Sequence, residues 1–217
     1  SQIYQHIYNF CRLNKIQFRL MNIIVITGPS GSGKTSLAKK LMLKLENSHI
    51  ISTDDFYKTG KISNLLSKFI RSYYDRKISH NSKLLIKTIN KILKNKEINY
   101  SYKYDFIKKR TEIINKKTLC IKNLIIEGIF TLELLKFISK NDYLLIRLKI
   151  KKEICMKRIK ARDHIERGKS KKKSSFNALK AWEIYKNKEK SYKNFDKGNE
   201  LIFKKDPDIN TILKNIS

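Results

Sequence analysis

Proline is almost missing from these 217 residues: Pro29 and Pro207 are the two, and glycine occurs seven times. No stretch therefore has the composition of an interdomain linker, and no internal repeat is visible. Cysteine is scarce as well. Cys11, Cys120 and Cys155 are odd in number and widely spaced, which fits neither a disulfide framework nor a metal-ligand spacing. A reducing, cytoplasmic setting is expected, with each cysteine a small core residue. No apolar run approaches the roughly 18 residues that a membrane span needs. Acidic residues are few, 19 Asp+Glu against 49 Lys+Arg, for a formal net charge of +30. Lysine far outnumbers arginine and is spread along the chain. The charge is thus read mainly as compositional drift, with a polyanionic partner as the other reading.

What is present is a 41% hydrophobic chain of the right length for one good-sized domain. Residues 1–20 contain no acidic residue, and Ile3, Ile7, Phe10 and Cys11 fall at helical spacing. They are expected to be an N-terminal extension, helical in character, ahead of a single domain over 21–217. His6, His49, His80 and His164 show no metal spacing and are assigned no ligand role.

The informative stretch is IIVITGPSGSGKTSL, from Ile23 to Leu37. An apolar strand pattern runs into Gly28-Pro-Ser-Gly-Ser-Gly-Lys34-Thr35, and a helical pattern follows at once. This is G-x-x-x-x-G-K-[ST] in the strand-to-helix context the phosphate loop requires. The amides of Gly28, Ser30, Gly31, Ser32 and Gly33 can turn inward as a nest for phosphate oxygens. The opening helix, with Ser36 in its first turn, adds its positive end. Lys34 is expected to reach the outer phosphates of ATP and the Thr35 hydroxyl a bound Mg2+.

Downstream, strands are expected at His49–Thr53, Leu119–Ile126, Tyr143–Ile150 and Glu200–Phe203. Helices are expected at Lys34–Glu46, Asn64–Tyr74, Lys83–Leu93, Leu132–Ser139, Lys152–Arg162, Ser174–Tyr192 and Pro207–Ile216. Alternation of this kind predicts an α/β fold: a doubly wound parallel sheet of about five strands with helices on both faces. Asp54 and Asp55 then fall just past the carboxyl end of the second strand, where such sheets bind ligands. Asn99–Arg110, dense in tyrosine and base, suits either stacking against a ligand ring or a two-stranded flap whose aromatics pack inward. Glu127 closes another strand, where an acid commonly supports magnesium. The bases between Arg158 and Lys173 suggest a lid over phosphates.

In combination, GPSGSGKT at 28–35, DDFY at 54–57, YDF at 104–106, EG at 127–128 and RIKARDHIERGK at 158–169 resemble the uridine kinase-like proteins of the phosphoribulokinase/uridine kinase group of P-loop kinases. WEIYKNKEKSY at 182–192 is similar to a tryptophan-containing segment of the bacterial members. The likeness covers about residues 22–195. It implies that Asp54 is the base for a sugar 5′-hydroxyl, with Asp55 as a neighbour that could also reach. It implies that Tyr57, Tyr104 and Phe106 line a nucleoside pocket, that Glu127 assists magnesium with Thr35, and that Arg158, Arg162, Arg167 and Lys169 form the lid. Two departures stand out. Lys109, followed by Arg110, occupies the place where well-studied members carry a pyrimidine-reading histidine, and one extra residue separates Arg158 from Arg162.

The expected activity is ATP-dependent phosphoryl transfer to a small-molecule hydroxyl, most simply the 5′-hydroxyl of uridine or cytidine in pyrimidine salvage. Lys34, Asp54, Arg162 and Arg167 would act on the reacting groups. A sugar phosphate, glycerate, pantothenate or similar alcohol is the alternative acceptor, and an ATP-driven nucleic-acid binder a third reading. No membrane partner or specific nucleic acid is expected. A homo-oligomer is compatible with the sequence.

Overall fold

A computed structural model describes residues 21–138, 142–167, 171–192 and 199–216, with the side chains of 163–177 outside the description. The expected extension over 1–20 therefore lies outside the described residues, as do Lys169 and the side chain of Arg167.

Five parallel strands form one sheet: β1 (Asn22–Thr27), β2 (Ser48–Ser52), β5 (Asn123–Glu127), β6 (Tyr143–Leu148) and β7 (Asn199–Phe203). Their spatial order is β2-β5-β1-β6-β7. The order reverses direction at β1, so the crevice beyond its carboxyl end is the place where a doubly wound sheet takes its ligand. β5 and β6 are buried at every residue, as expected of strands covered on both faces.

The period-2 pleat divides the core. Ile23 and Val25 point to one side, with Ile51, Leu124 and Ile126. Helices α3 (Ser82–Asn95) and α4 (Thr131–Ile138) cover that side through Leu85, Ile89 and Leu135. Ile24 and Ile26 point to the other, against Leu37, Ala38 and Leu41 of α1 (Lys34–Lys44) and Cys155 of α5 (Lys152–Arg167). α6 (Lys171–Ser191) contributes Tyr185 to the first core and Trp182 to the margin of the second. The short α7 (Ile209–Leu213) is capped by Asp208, which accepts from the amides of Asn210 and Thr211. No helix among the described residues is long and apolar enough to cross a membrane.

Several boundaries move from their expected places. The helix expected over 64–74 is α2 (Lys61–Phe69), because Ser72 takes a left-handed conformation at φ 50° and Tyr73–Asp75 becomes a separate 3-10 turn. The strand expected from Leu119 starts at Asn123: Cys120 sits in a turn at φ 51° and is exposed, so it is not the core residue expected, whereas Cys155 is buried. Residues 98–118 form a separate antiparallel hairpin, β3 (Ile98–Asp105) with β4 (Arg110–Thr118). Its second strand is longer than the tyrosine-rich stretch alone indicates.

Candidate active site

Two elements meet at the carboxyl edge of the sheet. The first is the turn from β1 into α1. Gly31 there has φ 77°, and a Cβ on it would stand 2.5 Å from the Cys155 carbonyl oxygen. The loop thus lies directly on the first turn of α5 with no room for a side chain. Lys34 is buried and donates from Nζ to the Pro29 carbonyl at 3.0 Å, folding back over the loop. Burial pulls its pKa down, opposed by the charges of Glu127 and Asp54. Arg162 of α5 adds to the downward pull, so its guanidinium lies within electrostatic reach of the loop lysine. Arg158 donates to Asp206 at 3.0 Å and is half-exposed. Its guanidinium would meet a Cβ on Gly33 at 3.5 Å, which sets it at the rim of the loop.

The second element is the 3-10 turn Thr53–Asp55 at the end of β2. Ser52 lies in register with Glu127 on the neighbouring β5. Its Oγ donates to Glu127 Oε1 at 2.7 Å, and the Thr35 hydroxyl donates to the same oxygen at 3.1 Å. Burial pushes the Glu127 carboxyl up, and Asp54 pushes it further. A hydroxyl and a carboxylate converging from loop and strand end form an oxygen donor set of the kind a hard cation such as Mg2+ takes.

The two aspartates have different surroundings. Asp55 accepts from the Tyr104 amide at 3.0 Å and pairs with Lys103 at 3.5 Å, tying the hairpin to the turn. Burial raises its pKa. Asp54 keeps a buried carboxylate oxygen, Oδ1, with no hydrogen-bond partner, and its charge is felt by both Lys34 and Glu127. The approach of the turn to β5 depends on Gly128, where a Cβ would overlap Thr53 Oγ1 at 1.8 Å and φ is 137°.

Beside Asp54 is an aromatic wall. Tyr57 meets Tyr104 at 5.0 Å, Tyr74 at 5.1 Å and Phe106 at 5.6 Å between ring centroids, all edge-on. The tyrosine-rich stretch forms part of a two-stranded flap, with Tyr104 packed inward against Tyr57. Lys109, at the hairpin turn with φ 51°, donates from Nζ to Ser67 Oγ of α2 at 3.1 Å.

Besides Tyr74, four residues in or against this wall were not singled out from the sequence for any role here. Phe130 stacks on His80 at 4.3 Å. His80 is bonded through Nε2 to the Thr53 carbonyl at 2.9 Å, so Nε2 carries the hydrogen, and through Nδ1 to Ser82 Oγ at 3.1 Å. Burial lowers its pKa, opposed by the bond to Thr53 and the charges of Asp54 and Glu133. Lys188 of α6 lies 4.1 Å from the centre of the Phe130 ring and pairs with Glu133 of α4 at 3.2 Å. The position of Phe130, three residues past a strand-closing acid, is the one available sequence signal. The other three contacts are long-range.

A family model described as the phosphoribulokinase/uridine kinase family matches residues 23–197. A uridine kinase from Borrelia duttonii is 32% identical over 133 residues, 60% of this chain and 60% of that protein. A uridine-cytidine kinase C from Dictyostelium discoideum is 33% identical over 116 residues, 51% of this chain and 23% of that one. The chain thus spans about 60% of the length of the bacterial relative it matches. Among solved structures, one described as a possible uridine kinase from Bacillus stearothermophilus superposes with a TM-score of 0.54 at 15% identity. It covers 92% of this chain and 100% of that one, a likeness of fold.

Proposed function

This chain belongs to the phosphoribulokinase/uridine kinase family, and from that premise we propose that it transfers the γ-phosphoryl group of ATP to the 5′-hydroxyl of uridine or cytidine. The observation that carries the reading is the open Oδ1 of Asp54, buried beside an aromatic wall and within the field of the loop lysine. A carboxylate without a partner, next to a phosphate cradle, suits the acceptance of a proton from an alcohol.

In this reading the amides of residues 28–33 and the ammonium of Lys34 hold the β- and γ-phosphates. Asp54 orients the acceptor hydroxyl and takes its proton. The oxygen forms a bond to the γ-phosphorus while the bond from phosphorus to the β–γ bridging oxygen breaks, and ADP leaves. Arg158 and Arg162, joined by Arg167 and Lys169 of the lid, offset the charge that gathers on the leaving oxygen. Thr35 and Glu127 would hold Mg2+, which supplies further charge neutralisation at the phosphates. In this reading the cluster of Tyr57, Tyr104 and Phe106 lines the acceptor pocket, with Asp55 fixing the hairpin that carries two of them.

Another small alcohol as acceptor is the second reading, favoured by Lys109 standing in place of a histidine. The test is a panel with purified protein and MgATP: uridine, cytidine, purine nucleosides, glycerate, pantothenate and pentose phosphates. ADP release is scored first, and the product is identified by phosphorus NMR. Uridine and cytidine are expected to give the highest kcat/KM. Turnover confined to an anionic acceptor would replace the nucleoside reading with the second one.

A further inference from the structure

Helix α2 is turned the wrong way round for a helix that covers a core. Its inward side is polar. Ser63, its one buried residue, donates from Oγ to the Lys58 carbonyl at 2.7 Å and lies 3.0 Å from the Tyr73 hydroxyl. Ser67, one turn on, accepts from Lys109 at 3.1 Å and donates to the Asn64 carbonyl at 2.8 Å. Positions i and i+4 share a face, so the two serines hold α2 against the domain. Ile62, Leu65 and Phe69, at i, i+3 and i+7, form an apolar stripe on another face. A surface helix ordinarily buries such a stripe, yet these side chains are 78%, 55% and 77% exposed. Ile78, farther along, and Ile107 of the hairpin tip that Lys109 ties to α2 are exposed as well.

The charge around the stripe has one sign. Between Lys58 and Ile78 there are six basic residues and one acid, Asp75. Lys58, Lys61, Lys68, Arg71 and Lys77 are exposed, whereas Asp75 is half-buried and its charge acts on the buried Lys188. That sign selects the occupant. A second copy would bring the same basic rim against itself. Residues 1–20 hold no acid and three bases, Arg12, Lys15 and Arg19, so they are alike in charge too. The complement of this face is an apolar interior behind an anionic surface. The side chains stand out from a convex helix rather than line a groove. That form suits insertion into a bilayer surface more than reception of a partner's helix.

We propose that α2 docks this chain on an anionic bilayer: Ile62, Leu65 and Phe69 enter the boundary between headgroups and acyl chains, and the surrounding lysines meet the headgroup charge. No run of spanning length is needed for this, so the absence of one, behind the expectation of no membrane partner, does not bear on it. The attachment is peripheral and reversible. It sets the membrane beside the hairpin that carries Tyr104 and Phe106.

The experiment sediments the full chain with vesicles of phosphatidylserine and phosphatidylcholine in equal parts, and with phosphatidylcholine alone, at about 0.15 M salt. Wild type is expected to partition onto the mixed vesicles about tenfold more strongly or better. The variant Ile62→Ser/Leu65→Ser/Phe69→Ser keeps the net charge and alters only exposed positions. It is expected to keep the wild-type circular dichroism and melting temperature, and to lose about tenfold to a hundredfold or more in partition onto the mixed vesicles. Lys61→Gln/Lys68→Gln is expected to lose about tenfold or more. Failure of wild type to sediment with the mixed vesicles overturns the proposal, and so does equal partition onto the two vesicle types. Unchanged partition of either variant overturns it too, since adhesion then belongs to charge elsewhere on a chain of net charge +30. A wild-type dimer in light scattering that the triple variant loses gives the face to a second copy and overturns it as well. If the triple variant does not fold, the lysine variant and the two vesicle types decide. None of these results touches the kinase reading.

Discussion

Thr35 donates its hydroxyl hydrogen to Glu127 at 3.1 Å, joining the first turn of α1 to the end of β5. The bond spans 92 positions of sequence, and Ser52 reinforces it by donating to the same oxygen. The loop is therefore fastened to the strand edge through the two groups that would meet a cation. Glu127→Gln keeps the shape and removes the charge. It is expected to weaken the apparent Mg2+ affinity by about 10–100-fold, the range seen when groups supporting a metal are altered. Turnover titrated with Mg2+ at fixed ATP measures it, and a titration curve unchanged from wild type removes Glu127 from the metal site.

The unequal surroundings of Asp54 and Asp55 give a second prediction. Asp55 is committed to the Tyr104 amide and to Lys103, whereas Asp54 has an open oxygen. Asp54→Asn should lower kcat by about 10²–10⁴-fold, the usual scale of a lost general base, with little change in ATP binding. Asp55→Asn should act mainly through the hairpin: a lower melting temperature, a higher KM for the acceptor, and a smaller fall in kcat. Steady-state kinetics on both variants decide it. A larger loss of kcat in the Asp55 variant assigns the base to Asp55 instead.

How far the sequence carried the reading depends on range. The strands and the phosphate loop were legible because they rest on local periods: the pleat of Ile23–Ile26, the glycine spacing of the loop, the apolar runs before Glu127 and at Tyr143–Leu148. Tyr57, Tyr104 and Phe106 were legible, the first through the motif resemblance and the other two through the tyrosine-rich stretch as well. Their packing partners Tyr74, His80 and Phe130 were not, because the contacts depend on how 73–82 folds back over 53–58 through the Tyr57–His80 bridge. Glu133 and Lys188 were invisible for a different reason. Each looks like one more charge in a chain of 49 basic and 19 acidic residues, and only the packing of α6 on α4 makes them a buried pair. Lys109 shows the converse. Motif position singled it out, whereas the hydrogen bond from its ammonium to Ser67, 42 positions away, has no local signal in the sequence.

His49 supplies a pH prediction. Its ring is buried in β2, with Nδ1 3.3 Å from Thr118 Oγ1. Burial, helped by the charge of Lys116, pushes its pKa down from 6.5 to about 4. Below 6.5 the unfolded chain binds a proton that the folded ring refuses. Stability from this group is therefore present above 6.5 and lost as pH falls toward 4, by up to about 3 kcal/mol over the interval. Urea midpoints at pH 7.5 and pH 5 are expected to separate widely in wild type and less in His49→Gln. Equal separation in the two proteins shows that the acid sensitivity lies in other groups.

Gly128 gives the sharpest steric test. Any side chain there enters at φ 137° and places Cβ 1.8 Å from Thr53 Oγ1 and 3.0 Å from Thr53 Cβ. The obstacle is the short side chain at the head of the turn that carries Asp54, so relief requires the turn itself to move. Overpacking and left-handed strain each cost about 1–3 kcal/mol, and Gly128→Ala is expected to lose roughly their sum in urea unfolding. Thr53→Ala removes Oγ1, the nearest atom, but not the strain. The double variant should therefore recover about half the lost stability, and it should recover more of the lost kcat, because the Asp54 turn can return to β5. If the double variant is no more stable than Gly128→Ala alone, the contact with Thr53 is not what keeps this position glycine, and backbone conformation by itself accounts for it.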